Sequence, residues 1–216
     1  MIENASGMVL RVRPLTETSL IVHWVTPELG RLATVAKGAR AAKSAFRGKL
    51  DLFYVADFSF SRSRKSELHA LREVRLRETH SALREDLDRL RAAAYAAALV
   101  EQTTEMEAPI GEVHTLISGL IDHLGRNASS PTLVLSFELR LLEYLGLAPD
   151  VENTHLKPGT RQLVHALQRG DWDMLGKIKL SAVQLTELRQ FLHGFLIYHL
   201  DRIPRGRAQA LGIHGE

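Results

Sequence analysis

With 216 residues, 45% of them hydrophobic and 25% charged, the chain has the length of one large or two small domains and the composition of an ordinary globular protein, which excludes collagen-like, mucin-like and low-complexity classes. It has no cysteine, so disulfides, thiolate metal sites and thiol nucleophiles are excluded together. The formal net charge of +3 conceals a split, since residues 1–80 hold 14 Lys and Arg against 8 Asp and Glu while the rest holds 14 against 17. Apolar stretches such as Ala92 to Val100 are broken by charge well short of the roughly 18 residues a membrane span needs. Met1-Ile2-Glu3-Asn4 lacks the basic and apolar regions of a secretion signal. A cytoplasmic protein with no membrane contact is expected.

The first third reads as β structure. Strands are predicted over Met8–Arg13, Leu20–Val25 and Arg31–Ala36, separated by Pro14 with the polar Thr16-Glu17-Thr18-Ser19 and by Pro27-Glu28-Leu29-Gly30. Leu52, Tyr54, Ala56, Phe58 and Phe60 alternate along a fourth extended segment, and Leu68 to Arg77 supplies a fifth. Five short strands suit a small closed barrel, which removes exposed sheet edges.

Beyond residue 80 the period changes to that of a helix. Leu83, Leu87, Leu90, Ala94 and Ala97 recur at three and four residues, up to the interruption at Pro109 and Gly111. Val113 to Leu124 and Ser129-Ser130-Pro131 through Gly146 make two more helices. Helical segments are expected again near 160–169, 171–178 and 181–200, the last opened by Ser181 as N-cap. The architecture predicted is α+β: a five-stranded barrel over 1–80, then an α-helical domain over 81–216 with an irregular loop near 147–160.

Neither metal nor covalent chemistry finds its usual marks. None of the ten histidines pairs at metal-ligand spacing, so no metal or other cofactor is expected. Asp86 with Asp88, and Asp171 with Asp173, read as helix-start residues that favour the dipole. A Walker loop and a Gly-x-Ser-x-Gly elbow are both missing, so the chain is expected not to be an enzyme.

The stretch from Arg31 to Lys49 carries Arg31, Lys37, Arg40, Lys43, Arg47 and Lys49 with no carboxylate among them. Small residues separate these cations, so a nucleic-acid backbone could approach while each cation neutralises a phosphate. Gly38 and Gly48 would let the loop turn. Arg11, Arg13 and the Arg62-Arg64-Lys65 turn could extend the face. Among the aromatics Trp24, Tyr54, Phe46 and Phe58, Phe46 stands inside the basic loop and is the best candidate for base stacking, whereas Tyr54, Phe58 and Phe60 read as barrel core.

Thr16-Glu17-Thr18-Ser19, Thr26-x-Glu28-x-Gly30-Arg31, Ala36-Lys37-Gly38-Ala39-Arg40, Lys43-Ser44 and Phe46-Arg47-Gly48-x-Leu50 together resemble the N-terminal signature of the RecO family of bacterial DNA repair and recombination-mediator proteins. Phe137-Glu138-Leu139-x-Leu141-Leu142-x-x-Leu145-Gly146 is similar to that family's helical-domain signature. The resemblance implies an oligonucleotide/oligosaccharide-binding (OB) fold followed by helices. It also implies binding of single- and double-stranded DNA, annealing of complementary strands, contact with the acidic tail of single-strand DNA-binding protein, and work with RecR to load RecA. Many relatives carry a four-cysteine zinc module after the Leu145-Gly146 signature. This chain has none, and its polar loop must hold its shape by packing and hydrogen bonds or be mobile. Arg202, Arg205 and Arg207 resemble the family's final basic segment and offer a second DNA contact.

For the acidic tail, Leu99, Leu116, Leu120, Phe137 and Leu141 are expected to form an apolar groove with Arg140 beside it, the alternative being plain helical core. The other functional classes are an RNA-binding OB protein and a phosphodiester-cleaving enzyme. DNA-versus-RNA competition separates the first from a DNA mediator, and a cleavage assay with magnesium tests the second.

Overall fold

The computed structural model describes residues 1–213; residues 214–216, the end of the expected helical domain, lie outside them. Five strands, β1 (Ile2–Pro14), β2 (Leu20–Thr26), β3 (Gly30–Ala36), β4 (Val55–Ser61) and β5 (Leu68–Glu78), close into a barrel in the order β1-β2-β3-β5-β4. All pairings are antiparallel except β3 with β5, and this is the OB-fold plan. Alternation sends Ala56, Phe58 and Phe60 of β4 inward, where they meet Val9, Val22, Trp24 and Leu32. Trp24 stacks on Phe58 with ring centroids 4.2 Å apart, and its Nε1 donates to Thr34 Oγ1 at 2.8 Å. The only polar atom of a fully buried indole is thereby satisfied.

Two strand limits differ from the sequence reading by more than one residue, each for a tertiary reason. β1 begins at Ile2 rather than Met8, because its polar first half pairs with β4, Glu3 opposite Phe60 and Ser6 opposite Asp57. β4 begins at Val55 rather than Leu52. Phe53 turns the chain with φ of 63° while its buried ring enters the core, and the backbone there pairs with Val9, Phe53 N to Val9 O at 2.8 Å and Val9 N to Tyr54 O at 2.9 Å.

Contacts divide the chain into two compact units, Met1–His80 with Thr104–Thr115, and Ser81–Thr103 with the chain from Leu116 onward. The first helix, α1 (Leu87–Thr103), stops short of Pro109, and the segment after it belongs to the barrel unit. Glu107 N donates to Arg31 O at 2.8 Å, its carboxylate pairs with Arg62, and its Oε1 lies 3.0 Å from Nε2 of the buried His69. Gly30, with φ of 68°, allows this approach: a Cβ there would sit 1.8 Å from the Ala108 carbonyl oxygen.

The second unit is helical: after α1 come α2 (Gly111–Leu124), whose first turn counts with the barrel, α3 (Pro131–Tyr144), α4 (Pro158–Arg169), α5 (Trp172–Lys177), α6 (Ala182–Leu200) and α7 (Arg207–Ala210). Helix α3 is buried on every face from Thr132 to Leu139. Its Glu138 is fully buried yet charged-paired: Arg207 Nε and Nη2 donate to its two oxygens at 2.6 and 2.8 Å, and the Tyr95 hydroxyl donates at 2.6 Å. Ser181 opens α6 with a reciprocal capping box to Gln184. The cysteine-free loop before α4 is held by hydrogen bonds. Arg161 donates to the carbonyls of Thr154 and Leu156 at 2.9 and 3.0 Å, and Glu187 accepts from Lys157 N and Thr160 Oγ1. No helix among the described residues is long and apolar enough to cross a membrane.

Candidate nucleic-acid interface

The segment between β3 and β4 is a chain of tight turns. Successive bonds run from Ala39 N to Ala36 O, Ala41 N to Gly38 O, Ser44 N to Ala41 O, Arg47 N to Ser44 O and Lys49 N to Phe46 O, at 3.0 to 3.3 Å. Gly38 and Gly48, at φ of 67° and 71°, make the left-handed steps that such winding requires. Ala39, Phe46 and Leu50 pack against the barrel core and fasten the loop along its length. Phe46 is half buried there, so its ring serves first to attach the loop.

The neighbouring β1–β2 connection braces the same segment. Thr16 Oγ1 accepts from the backbone N–H groups of Thr18 and Ser19, and the loop it shapes turns two carbonyls toward Arg40. Thr18 O accepts from Arg40 N at 2.9 Å and Thr16 O from Arg40 Nη1 at 3.3 Å. Since Leu20 pairs with Ala36 and with Pro14, both connections emerge at one end of the barrel.

On this braced loop Lys37, Arg40, Lys43 and Arg47 are exposed and Lys49 is half exposed. Arg47 Nη1 donates to the Ala42 carbonyl at 3.2 Å. None of the five is paired with a carboxylate among the described residues. Arg13, exposed beside the last pair of β1 and β2, stands at the same end. Cations that are fixed in backbone but unneutralised in side chain form a surface able to exchange counterions for phosphates.

Arg31 does not join them. It is the second residue of β3, five residues and thus about 17 Å of strand from Ala36, and its half-buried guanidinium donates to the Thr104 carbonyl. Arg62 is likewise spent within the barrel unit. It forks onto Glu3 at 2.8 and 2.9 Å and also meets Glu107, and the hydrogen bond from Arg62 holds the Glu3 carboxyl below its usual range. Trp24 and Phe58 are core and present no open stacking face.

The apolar groove expected on the helices is not open. Leu99, Leu116, Leu120, Phe137 and Leu141 are all at most 2% exposed, because the spacing that could have lined a groove is filled by helix packing. Arg140 is the accessible member, its guanidinium 4.8 Å above the Trp172 ring with Nη1 toward the Gly170 carbonyl. Arg207, expected in a basic tail, is buried against Glu138 and withdrawn from any DNA contact. Among the described residues, no group of three His, Asp or Glu gathers to hold a metal ion.

Family models described as "Recombination protein O N terminal" and "Recombination protein O C terminal" match residues 1–80, and residues 84–156 with 151–208. The DNA repair protein RecO of Alkaliphilus metalliredigens is 27% identical over 94% of this chain and 96% of its own length. That of Anaeromyxobacter dehalogenans strain 2CP-C is 31% identical over 91% of each chain, and that of Moorella thermoacetica 28% identical over 99% of this chain and 92% of its own.

Proposed function

Because the chain belongs to the recombination protein O family, we propose that it is a DNA repair and recombination mediator that binds single- and double-stranded DNA through the 37–49 loop and anneals complementary strands. The observation that carries this reading is the set Lys37, Arg40, Lys43, Arg47 and Lys49, unpaired with carboxylates among the described residues and carried on a loop fixed at one end of the barrel by backbone bonds. A polyanion laid there exchanges its counterions for these cations. Two strands so neutralised repel each other less, and complementary bases can pair with no nucleotide hydrolysis and no covalent step.

If each of the five cations meets one phosphate, log affinity for single strands falls with log salt at a slope of about −3.5, at roughly 0.7 per contact. The Lys37→Ala, Arg40→Ala, Lys43→Ala, Arg47→Ala variant is expected to flatten that slope by about 2.8 and to abolish annealing of labelled strands. An unchanged annealing rate overturns the reading. Competition with RNA of the same sequence decides against an RNA-binding role if DNA is preferred. In the same reading the protein acts in the cytoplasm, contacts the acidic tail of single-strand DNA-binding protein, and works with RecR to load RecA. Arg140 is the residue offered to the tail, and an Arg140→Glu variant that binds the tail peptide as well as the parent removes it from that contact.

A further inference from the structure

Helix α6 is the last long helix of its unit, and in 19 residues it carries only Glu187 and Arg189 as formal charges. Its core face is Leu188, Leu192 and Leu196, all buried. The opposite face is Val183, Thr186, Gln190, His193 and Ile197, spaced alternately by three and four residues and every one exposed. A surface helix ordinarily turns its charges to water, whereas this one presents a stripe without Asp, Glu, Lys or Arg. Val183 is 57% exposed, Ile197 42% and the adjoining Tyr198 84%. Such spacing is that of a helix packed on a second helix at a shallow angle.

The stripe complements itself. A hollow of about 410 Å3 opens beside its first half, lined by Lys157, Ala182, Val183, Thr186, Glu187 and Gln190, while its second half carries the protruding Ile197 and Tyr198. Gln190 stands midway between Val183 and Ile197. A two-fold axis through Gln190 therefore turns the protrusion of each copy onto the hollow of the other, and Val183 meets the partner's Ile197 twice. On the axis Gln190 faces itself, and a side-chain amide holds both donor and acceptor, so the pair can exchange hydrogen bonds. Gly194, one turn on, has nothing within 4 Å of where a Cβ would stand, which leaves room for a second helix to come close. At the two ends of the stripe Lys179 and the C-cap Asp201 are exposed and have no ion-pair partner among the described residues. End-for-end pairing brings each toward its opposite charge, Lys179 toward Asp201 of the partner.

We propose that a second copy of this chain docks here, α6 lying antiparallel on α6 about Gln190. The association stands on this helix alone. Only its use rests on the DNA-annealing reading, in which a dimer presents two 37–49 loops, one for each strand. Because the chain has no cysteine, single introduced thiols report the pairing. In the full chain, Gln190→Cys is expected to give a disulfide-linked dimer on mild oxidation. Val183→Cys and Ile197→Cys are each expected to crosslink poorly alone, since the pairing holds equal positions about 21 Å of helix apart, and to crosslink well when mixed. Sedimentation equilibrium of the parent is expected to show monomer and dimer exchanging with concentration. Ile197→Lys is expected to weaken the dimer by about tenfold or more, with its urea midpoint in dilute solution unchanged.

A parent chain that stays monomeric at every concentration overturns the proposal and leaves the face to a different protein. So does Val183→Cys alone crosslinking as well as the mixture, which marks parallel pairing or unspecific collision, and so does an Ile197→Lys variant that dimerises like the parent, which places the contact elsewhere. Loop variants that keep full DNA binding would sink the annealing reading, and sedimentation and crosslinking would still decide this interface.

Discussion

Glu138 shows what a single charge can organise. Its carboxylate has no access to water and is satisfied by Arg207 and Tyr95, and burial, with the carboxylate's charge adding to it, pushes the Tyr95 hydroxyl well above the ordinary tyrosine range, so that it stays a donor. Removing one member strands the others. Glu138→Ala is expected to cost about 3–5 kcal/mol in urea unfolding, and the Glu138→Leu, Arg207→Met pair distinctly less than the sum of its singles. A titrating residue in the barrel unit supplies the pH dependence. His114 is pushed below the ordinary histidine range by burial, with the Glu28 charge opposing. A depressed folded value means the unfolded chain binds the proton first. The stability concerned is therefore complete above about pH 6.5 and declines as pH falls through the folded value. Melting temperature measured from pH 7.5 down to 5.5 should fall, and His114→Gln should remove that part of the fall.

Helix α6 and strand β3 begin on different kinds of signal. Ser181 caps α6 through its own hydroxyl and Gln184, and Ser181→Ala is expected to lower stability by about 1 kcal/mol, read from the urea midpoint. At Gly30 no local rule suffices. The turn before it is closed by Thr26 Oγ1 donating to Gly30 O at 2.9 Å, which a sequence of Thr and Gly already suggests, but the Ala108 backbone lying against the missing Cβ comes from residues far along the chain. Gly30→Ala is expected to destabilise the barrel by more than the ~1 kcal/mol of an ordinary glycine replacement. The same division runs through the basic loop: its turns and cations were legible from Gly38, Gly48 and the spacing of Lys and Arg, whereas the brace from Thr16 and Thr18 onto Arg40 depends on β1–β2 lying beside it.

Taken together, the two units cannot be parted by one cut. The chain leaves the barrel at residue 80, forms α1, and gives Thr104–Thr115 back to the barrel, where Glu107 engages Arg62 and His69. A fragment of residues 1–80 is expected to unfold at lower urea than the barrel of the intact chain, followed through the fluorescence of Trp24 with Trp172→Phe as background, and a synthetic 104–115 peptide should recover part of the loss. Equal midpoints would mean that this returning segment adds nothing.

Alternation in β2 to β5, helical periodicity after residue 80, and an unbroken cationic run between two strands were all readable along the chain, because strand and helix periods and local turn chemistry act over a few residues. The sequence thus determined a small closed barrel with a basic loop followed by helices, and the family resemblance of its motifs implied the OB plan. Which cations remain available was decided only by folding. Arg31, Arg62 and Arg207 carry the same charge as Arg40 and Arg47, but Thr104, Glu107 and Glu138 reach them from distant segments, and amphipathic spacing cannot tell Leu99 or Phe137 on an open face from the same side chains under a neighbouring helix. Long-range proximity is a property of the packed chain, and it is what turns identical residues into interface, strut or core.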